Sequence, residues 1–179
     1  MRLLSLIICF AVLSSTASAW SGWNHKYNEE KPISSERDYI LRIFDFYSQI
    51  QKNFEKEGFS GRSRDLLEDY TSAILLPACS SCAKLLSRGH DTELMFAYFR
   101  LLQFTQHSAS ESFGSYLAEI FVANPTLVEK GFRRLTAKQK CIGFAALSWG
   151  FGNMRYGKPA TAATKHFKER LTRLRPACK

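Results

Sequence analysis

Along most of the chain, apolar positions recur three and four residues apart, and almost nowhere do they alternate. That spacing predicts helices. Ser35 stands three residues before Asp38, a capping-box-like start, and Ile40, Ile43, Phe44, Tyr47 and Phe54 follow on one face. The pattern predicts a helix over 36–57, stopped at Gly58. After a Gly/Ser turn at 59–63, Leu66, Leu67, Tyr70 and Ile74 mark a second helix, expected to break before Pro77. A third, short helix runs to Arg88 and ends at Gly89.

The middle of the chain carries the strongest signals. Asp91 or Thr92 can cap a helix bearing Leu94, Met95, Tyr98, Phe99, Leu101, Leu102 and Phe104, apolar nearly all round and so expected at the centre of the fold. Ser108 with Glu111 resembles another capping box, ahead of Phe113, Tyr116, Leu117, Ile120 and Phe121 on one stripe. Asn124-Pro125 places a cap before a proline at the first helical position, opening a helix with Leu127, Val128, Phe132 and Leu135. Thr136 with Gln139 starts the next, and Gly150, Gly152, Gly157 and Pro159 are expected to end it. A last helix over about 161–174 buries only Phe167, Leu171 and Leu174.

These elements predict an all-α fold: an irregular bundle of seven or eight antiparallel helices joined by short loops. Starts near 91, 109, 125 and 137 raise an α-solenoid-like stack as the alternative. The intervals are unequal and the segments do not resemble one another, so no repeat signature is met.

The first nineteen residues stand apart. Met1-Arg2 is followed by the apolar run Leu3–Leu13, interrupted only by Ser5 and Cys9, and then by small residues up to Ala17-Ser18-Ala19. That order is a secretory signal peptide with its cut after Ala19, and the run is too short to span a bilayer. The expected organisation is a signal peptide over 1–19, an extended arm over 20–34 and one helical domain over 35–179. No second run of spanning length exists in the sequence, so the mature chain is expected to be secreted or periplasmic. Trp20, Trp23 and Tyr27 in the arm are expected to fold over the domain rather than stand out as partner anchors.

Charge adds one feature. The chain has 25 Lys+Arg against 16 Asp+Glu, and the excess gathers at the end. Lys165, Lys168, Arg170, Arg173 and Arg175 line the last helix, with Glu169 the one carboxylate among them. Such a stripe can meet an anionic surface, although many solvated helix faces look the same.

Cys79, Cys82, Cys141 and Cys178 remain after cleavage, an even number that predicts disulfides in an exported chain. Register selects a pairing. If the helices around Gly150–Pro159 are antiparallel, the tail beyond Pro176 can bend back to Cys141. Cys79 and Cys82 are then left to each other at a helix start. The expectation is Cys141–Cys178 and Cys79–Cys82. A Cys-x-x-Cys opening a helix can also carry an activated thiol, but no strand precedes this one and no βαβ pattern surrounds it.

Other chemistry finds little support. His25, His90, His107 and His166 are scattered, and no zinc spacing, nucleophile elbow or phosphate loop occurs. No metal and no cofactor is expected. Asn124-Pro125-Thr126 has the form of a glycosylation site, but the proline excludes it. The favoured reading is an exported, non-catalytic helical binding protein, such as an inhibitor or immunity-type protein, whose partner is another protein. The alternatives are a binder of anionic envelope or membrane surface through the basic C-terminus, and a dithiol oxidoreductase using Cys79 and Cys82. Nucleic acid is not the expected partner.

Overall fold

The computed structural model describes residues 35–58, 61–105, 110–153 and 162–178. They are helical almost throughout, with no strand among them. The expected signal peptide, the expected arm with Trp20, Trp23 and Tyr27, and the expected Ser108 cap lie outside the described residues.

Helix α1 (Glu36–Glu57) begins as its sequence predicts: the Ser35 hydroxyl accepts the Asp38 N–H at 3.2 Å, and Glu36 and Asp38 sit in the positive first turn. It ends at Gly58, whose φ of 81° suits glycine and lets its N–H reach the Phe54 carbonyl at 2.9 Å. Ile40, Phe44, Tyr47 and Ile50 are fully or almost fully buried along its inner face.

The second element departs from expectation. Helix α2 (Gly61–Tyr70) does not break before Pro77. It passes through a π-helical turn (Thr71–Leu75) straight into α3 (Leu76–Arg88). A proline inside an α-helix presses its ring on the carbonyl four residues back, here that of Ala73. The π turn holds Ala73 in a wider coil, where the Leu76 N–H bonds to Thr71 instead. The wider turn accommodates the ring, and the rod continues to Gly89.

Helix α4 (Thr92–Leu101), continued by a 3-10 turn (Leu102–Phe104), is capped by Asp91, which accepts the Leu94 N–H at 2.9 Å. Leu94, Met95, Tyr98, Phe99, Leu101 and Leu102 are buried, as expected of a central helix. The hydroxyl of Tyr98 donates to the Phe113 carbonyl at 2.9 Å, so its one polar atom is satisfied inside the core. Helices α5 (Ser110–Ala123), α6 (Pro125–Arg133), α7 (Ala137–Asn153) and α8 (Ala162–Arg173) follow.

Two caps read from the sequence are realised in full. Thr136 and Gln139 exchange bonds, Thr136 N–H to Gln139 Oε1 at 2.9 Å and Gln139 N–H to Thr136 Oγ1 at 3.4 Å. Asn124 does more than cap α6. Its oxygen accepts the Leu127 N–H, while its amide donates to the carbonyls of Leu86 and Gly89 at the end of α3. One side chain thus joins an orphan N–H of one helix start to orphan carbonyls of another helix end.

All described residues belong to one compact unit, Ser35–Lys179. With α2–α3 taken as a single rod, α1, the rod, α4 and α5 each pack on the helix two places further on. The contacts form two rows, α1–α4–α6 and α3–α5–α7. The assembly is all-α, as the sequence predicts.

The tightest contact is α5 on α7, and glycines make it. Gly150, expected to end α7, lies inside it. A Cβ placed there would sit 1.9 Å from the Gly114 carbonyl oxygen, and one on Gly114 would sit 2.6 Å from the oxygen of Ala146. The two backbones touch directly, which no larger residue allows. Gly143, further along α7, leaves room for the Phe99 and Phe132 rings, which meet edge to face with centroids 5.7 Å apart.

Candidate functional site

Helix α8 is amphipathic on a narrow stripe and basic elsewhere, so it can dock on the two rows through only a few side chains. Three fastenings hold it. Phe167 stands edge-on to Phe121 and Phe151, with centroids 5.9 and 6.5 Å away. Arg170 straddles the Glu129 carboxylate of α6, its Nε at 2.8 Å and its Nη2 at 2.7 Å from one oxygen, with both side chains about four-fifths buried. The third is the disulfide Cys141–Cys178, with Cα atoms 5.8 Å apart and a separation of 37 positions in sequence. Its route follows the geometric expectation. Helical bonding ends with the Leu174 and Arg175 N–H groups on Leu171 and Thr172, and the tail then turns at Pro176 so that Cys178 reaches the start of α7.

This arrangement sorts the five cations singled out in the sequence. Lys168, Arg173 and Arg175 are exposed and make no ion pair among the described residues. Arg170 is not free: it is committed to Glu129, a carboxylate that sequence reasoning missed because the partner lies 41 residues away. Lys165 belongs to α8, and its side chain lies outside the described residues.

The expected Cys79–Cys82 bridge is not formed; both are free, buried thiols. The expectation rested on a helix starting at that point. Because the π turn carries the rod through Pro77, Cys79 and Cys82 sit three apart within a continuous helix. Such pairs have Cβ atoms about 5–6 Å apart, whereas a disulfide needs about 3.5–4.5 Å. Nor are the thiols activated. Burial, and for Cys79 the neighbouring Cys82 as well, pushes both far above the ordinary thiol range, and each is 0% exposed. An oxidoreductase needs an accessible sulfur with a lowered pKa. These two are packed in the core as small apolar side chains.

Further polar contacts join the elements nearer the surface. Arg37 of α1 donates to Asp91, joining the starts of α1 and α4. Burial alone would raise Asp91, but the Arg37 hydrogen bond, the Leu94 N–H and the Arg37 charge outweigh it and hold the carboxyl below its usual range. Arg134 pairs with Glu93 at 2.6 Å and lies 4.7 Å above the Phe96 ring. His90 and His166 are exposed; His25 and His107 lie outside the described residues. Among the described residues no three His, Cys, Asp or Glu side chains gather as a metal site, and no helix is long and apolar enough to cross a membrane. Comparison with protein-family models, curated proteins and solved structures finds no match to this chain.

Proposed function

We propose that the chain is an exported, non-catalytic binding protein that acts on another protein, in the manner of an inhibitor or immunity-type protein. The observation that carries this reading is the fastening of α8. A helix and tail whose exposed positions include Lys168, Arg173 and Arg175 are held by a disulfide to the rest of the domain, so their charges are presented in a fixed geometry. Preorganised charge favours recognition, because little ordering remains to be done on binding. A disulfide accords with an oxidising compartment, and the leader at 1–19 with its cut after Ala19 supplies the route there.

The test is zero-length carboxyl-to-amine crosslinking of the mature chain in the envelope or culture fluid of its source, followed by reconstitution with the purified partner. A saturable complex of fixed stoichiometry is the expected result. Absence of any saturable protein complex overturns the reading. The exposed cations also favour a second reading, a binder of anionic envelope or membrane surface. It predicts instead saturable binding to anionic vesicles that falls steeply with salt.

A further inference from the structure

The fold brings together two basic stretches that the sequence keeps apart. The Glu129–Arg170 ion pair joins α6 to α8, and the Cys141–Cys178 disulfide joins the start of α7 to the tail. In both stretches the chain runs from the ion pair to the disulfide. Residues 129–141 and 170–178 are therefore tethered to each other at both ends. Those two stretches contain eight Lys and Arg side chains and a single carboxylate, Glu129. Arg170 is spent on Glu129 and Arg134 on Glu93, whose carboxylate stands at the margin. Lys130, Arg133, Lys138, Lys140, Arg173 and Arg175 have no carboxylate partner among the described residues. All are exposed except Lys140, which is half-buried.

Placement along the helices agrees. Arg133 lies one turn beyond Glu129 on the same side of α6, and Arg173 about one turn beyond Arg170 on the side of α8 nearer α6. Lys138 precedes Cys141 by one turn. Charges within about 8 Å of one another, the screening length at physiological salt, act together.

We infer that this composite patch, and not the face of α8 alone, is the interaction surface, and that it takes a carboxylate-rich surface of a partner protein. The inference rests on the protein-binding reading and specifies its site. One observation favours an acidic protein over a membrane. Among the described residues the exposed large apolar side chains, Val122 and Trp149, stand on α5 and the far half of α7 and not within the patch, so neither supplies an apolar wedge beside its charges. The same two fastenings that build the patch make it dependent on the disulfide.

The experiment measures binding of the mature chain to soluble poly-L-glutamate, to phosphatidylglycerol vesicles and to heparin across a salt series. Poly-L-glutamate is expected to bind, with affinity falling as salt rises. The substitutions R133E, R173E and R175E together should weaken it by at least ~tenfold, and the neutral set R133Q, R173Q and R175Q by less. The matched reversals K56E, R64E and K84E, at exposed positions on α1, α2 and α3, should leave it unchanged. Helical content and melting checked on each variant keep a folding defect from passing as a binding defect. Equal weakening by the matched set, or vesicles or heparin bound more tightly than poly-L-glutamate, overturns the inference. If the crosslinked native partner binds the R133E, R173E, R175E chain as well as the parent, the patch is refuted and the protein-binding reading stands. If no protein partner exists, that reading fails whatever poly-L-glutamate does.

Discussion

Gly150→Ala and Gly152→Ala are the same substitution two residues apart in one helix, and the packing of α7 predicts opposite signs for them. At Gly150 the added Cβ would lie 1.9 Å from the Gly114 oxygen, 2.2 Å from its carbonyl carbon and 2.7 Å from the Ser115 nitrogen. All three are backbone atoms, so no rotamer change relieves the overlap. To restore ordinary contact, α5 and α7 must move apart by roughly 1.5 Å. That opens the most extensive helix–helix contact of the fold, in which Phe113, Leu117 and Phe121 are fully buried. Overpacking of this kind costs about 1–3 kcal/mol, with rigid sites at the upper end. Alanine returns about 1 kcal/mol through its better helix propensity. The net expectation for Gly150→Ala is a loss of about 2 kcal/mol, or a fall in Tm of roughly 4–8 °C for a domain of this size. At Gly152 nothing stands within 4 Å of the added Cβ and the backbone is helical. Only the propensity gain remains, reduced by proximity to the helix end, and the expected change is a stabilisation of about 0.5 kcal/mol. Urea unfolding followed by circular dichroism at 222 nm measures both. Equal effects of the two substitutions, or a Gly150→Ala protein as stable as the parent, would refute the backbone contact of α5 with α7.

Four further outcomes are expected. Cys79 and Cys82 should resist a thiol reagent in the native protein and react fully in denaturant, adding two thiols per chain from the described residues; rapid native reaction would overturn their burial. Cys178→Ser should lower stability by about 4 kcal/mol in the chain-entropy model for a 37-residue separation, measured by the same urea titration without reductant. Asp91 is held below its unfolded carboxylate value, so its contribution is present above that value and is lost as pH falls through the lower, folded one; Asp91→Asn should flatten the acid limb of the stability–pH curve below about pH 4, and an unchanged limb would count against the Arg37–Asp91 link. Intact-mass analysis of exported material should give a chain beginning at Trp20, and a mass retaining residues 1–19 would count against the leader.

What the sequence made legible was mostly local. Ser35, Asp91, Asn124 and the Thr136–Gln139 pair were readable as caps because a cap is decided within four residues of itself. The Cys141–Cys178 pairing was legible for a related reason: a helical hairpin with a short connection fixes which residues come abreast. The misread positions are those whose environment comes from a distant part of the chain. Pro77 looked like a break, but a π turn absorbs it, and the Cys79–Cys82 bridge failed with the helix start it required. Gly150 looked like a stop because the partner that explains it, Gly114, is not in its own neighbourhood.

The basic surface shows the same limit in electrostatic form. Counting charge in a window along the chain picked out α8, whose 12 residues extend over roughly 18 Å. That length is about twice the distance over which charges act together in physiological salt, so the window joined cations at its two ends that are too far apart to cooperate. It also credited Arg170 with a free charge that Glu129 neutralises. The cations of the composite patch, Arg133 and Lys138 with Arg173 and Arg175, come from two stretches nearly forty residues apart, which the ion pair and the disulfide tether to each other. The strength of such a surface is therefore a property of the fastenings as much as of the composition. Opening the disulfide would alter no charge in the patch, yet it would free the stretch that carries Arg175 from the one that carries Lys138 and weaken their combined field.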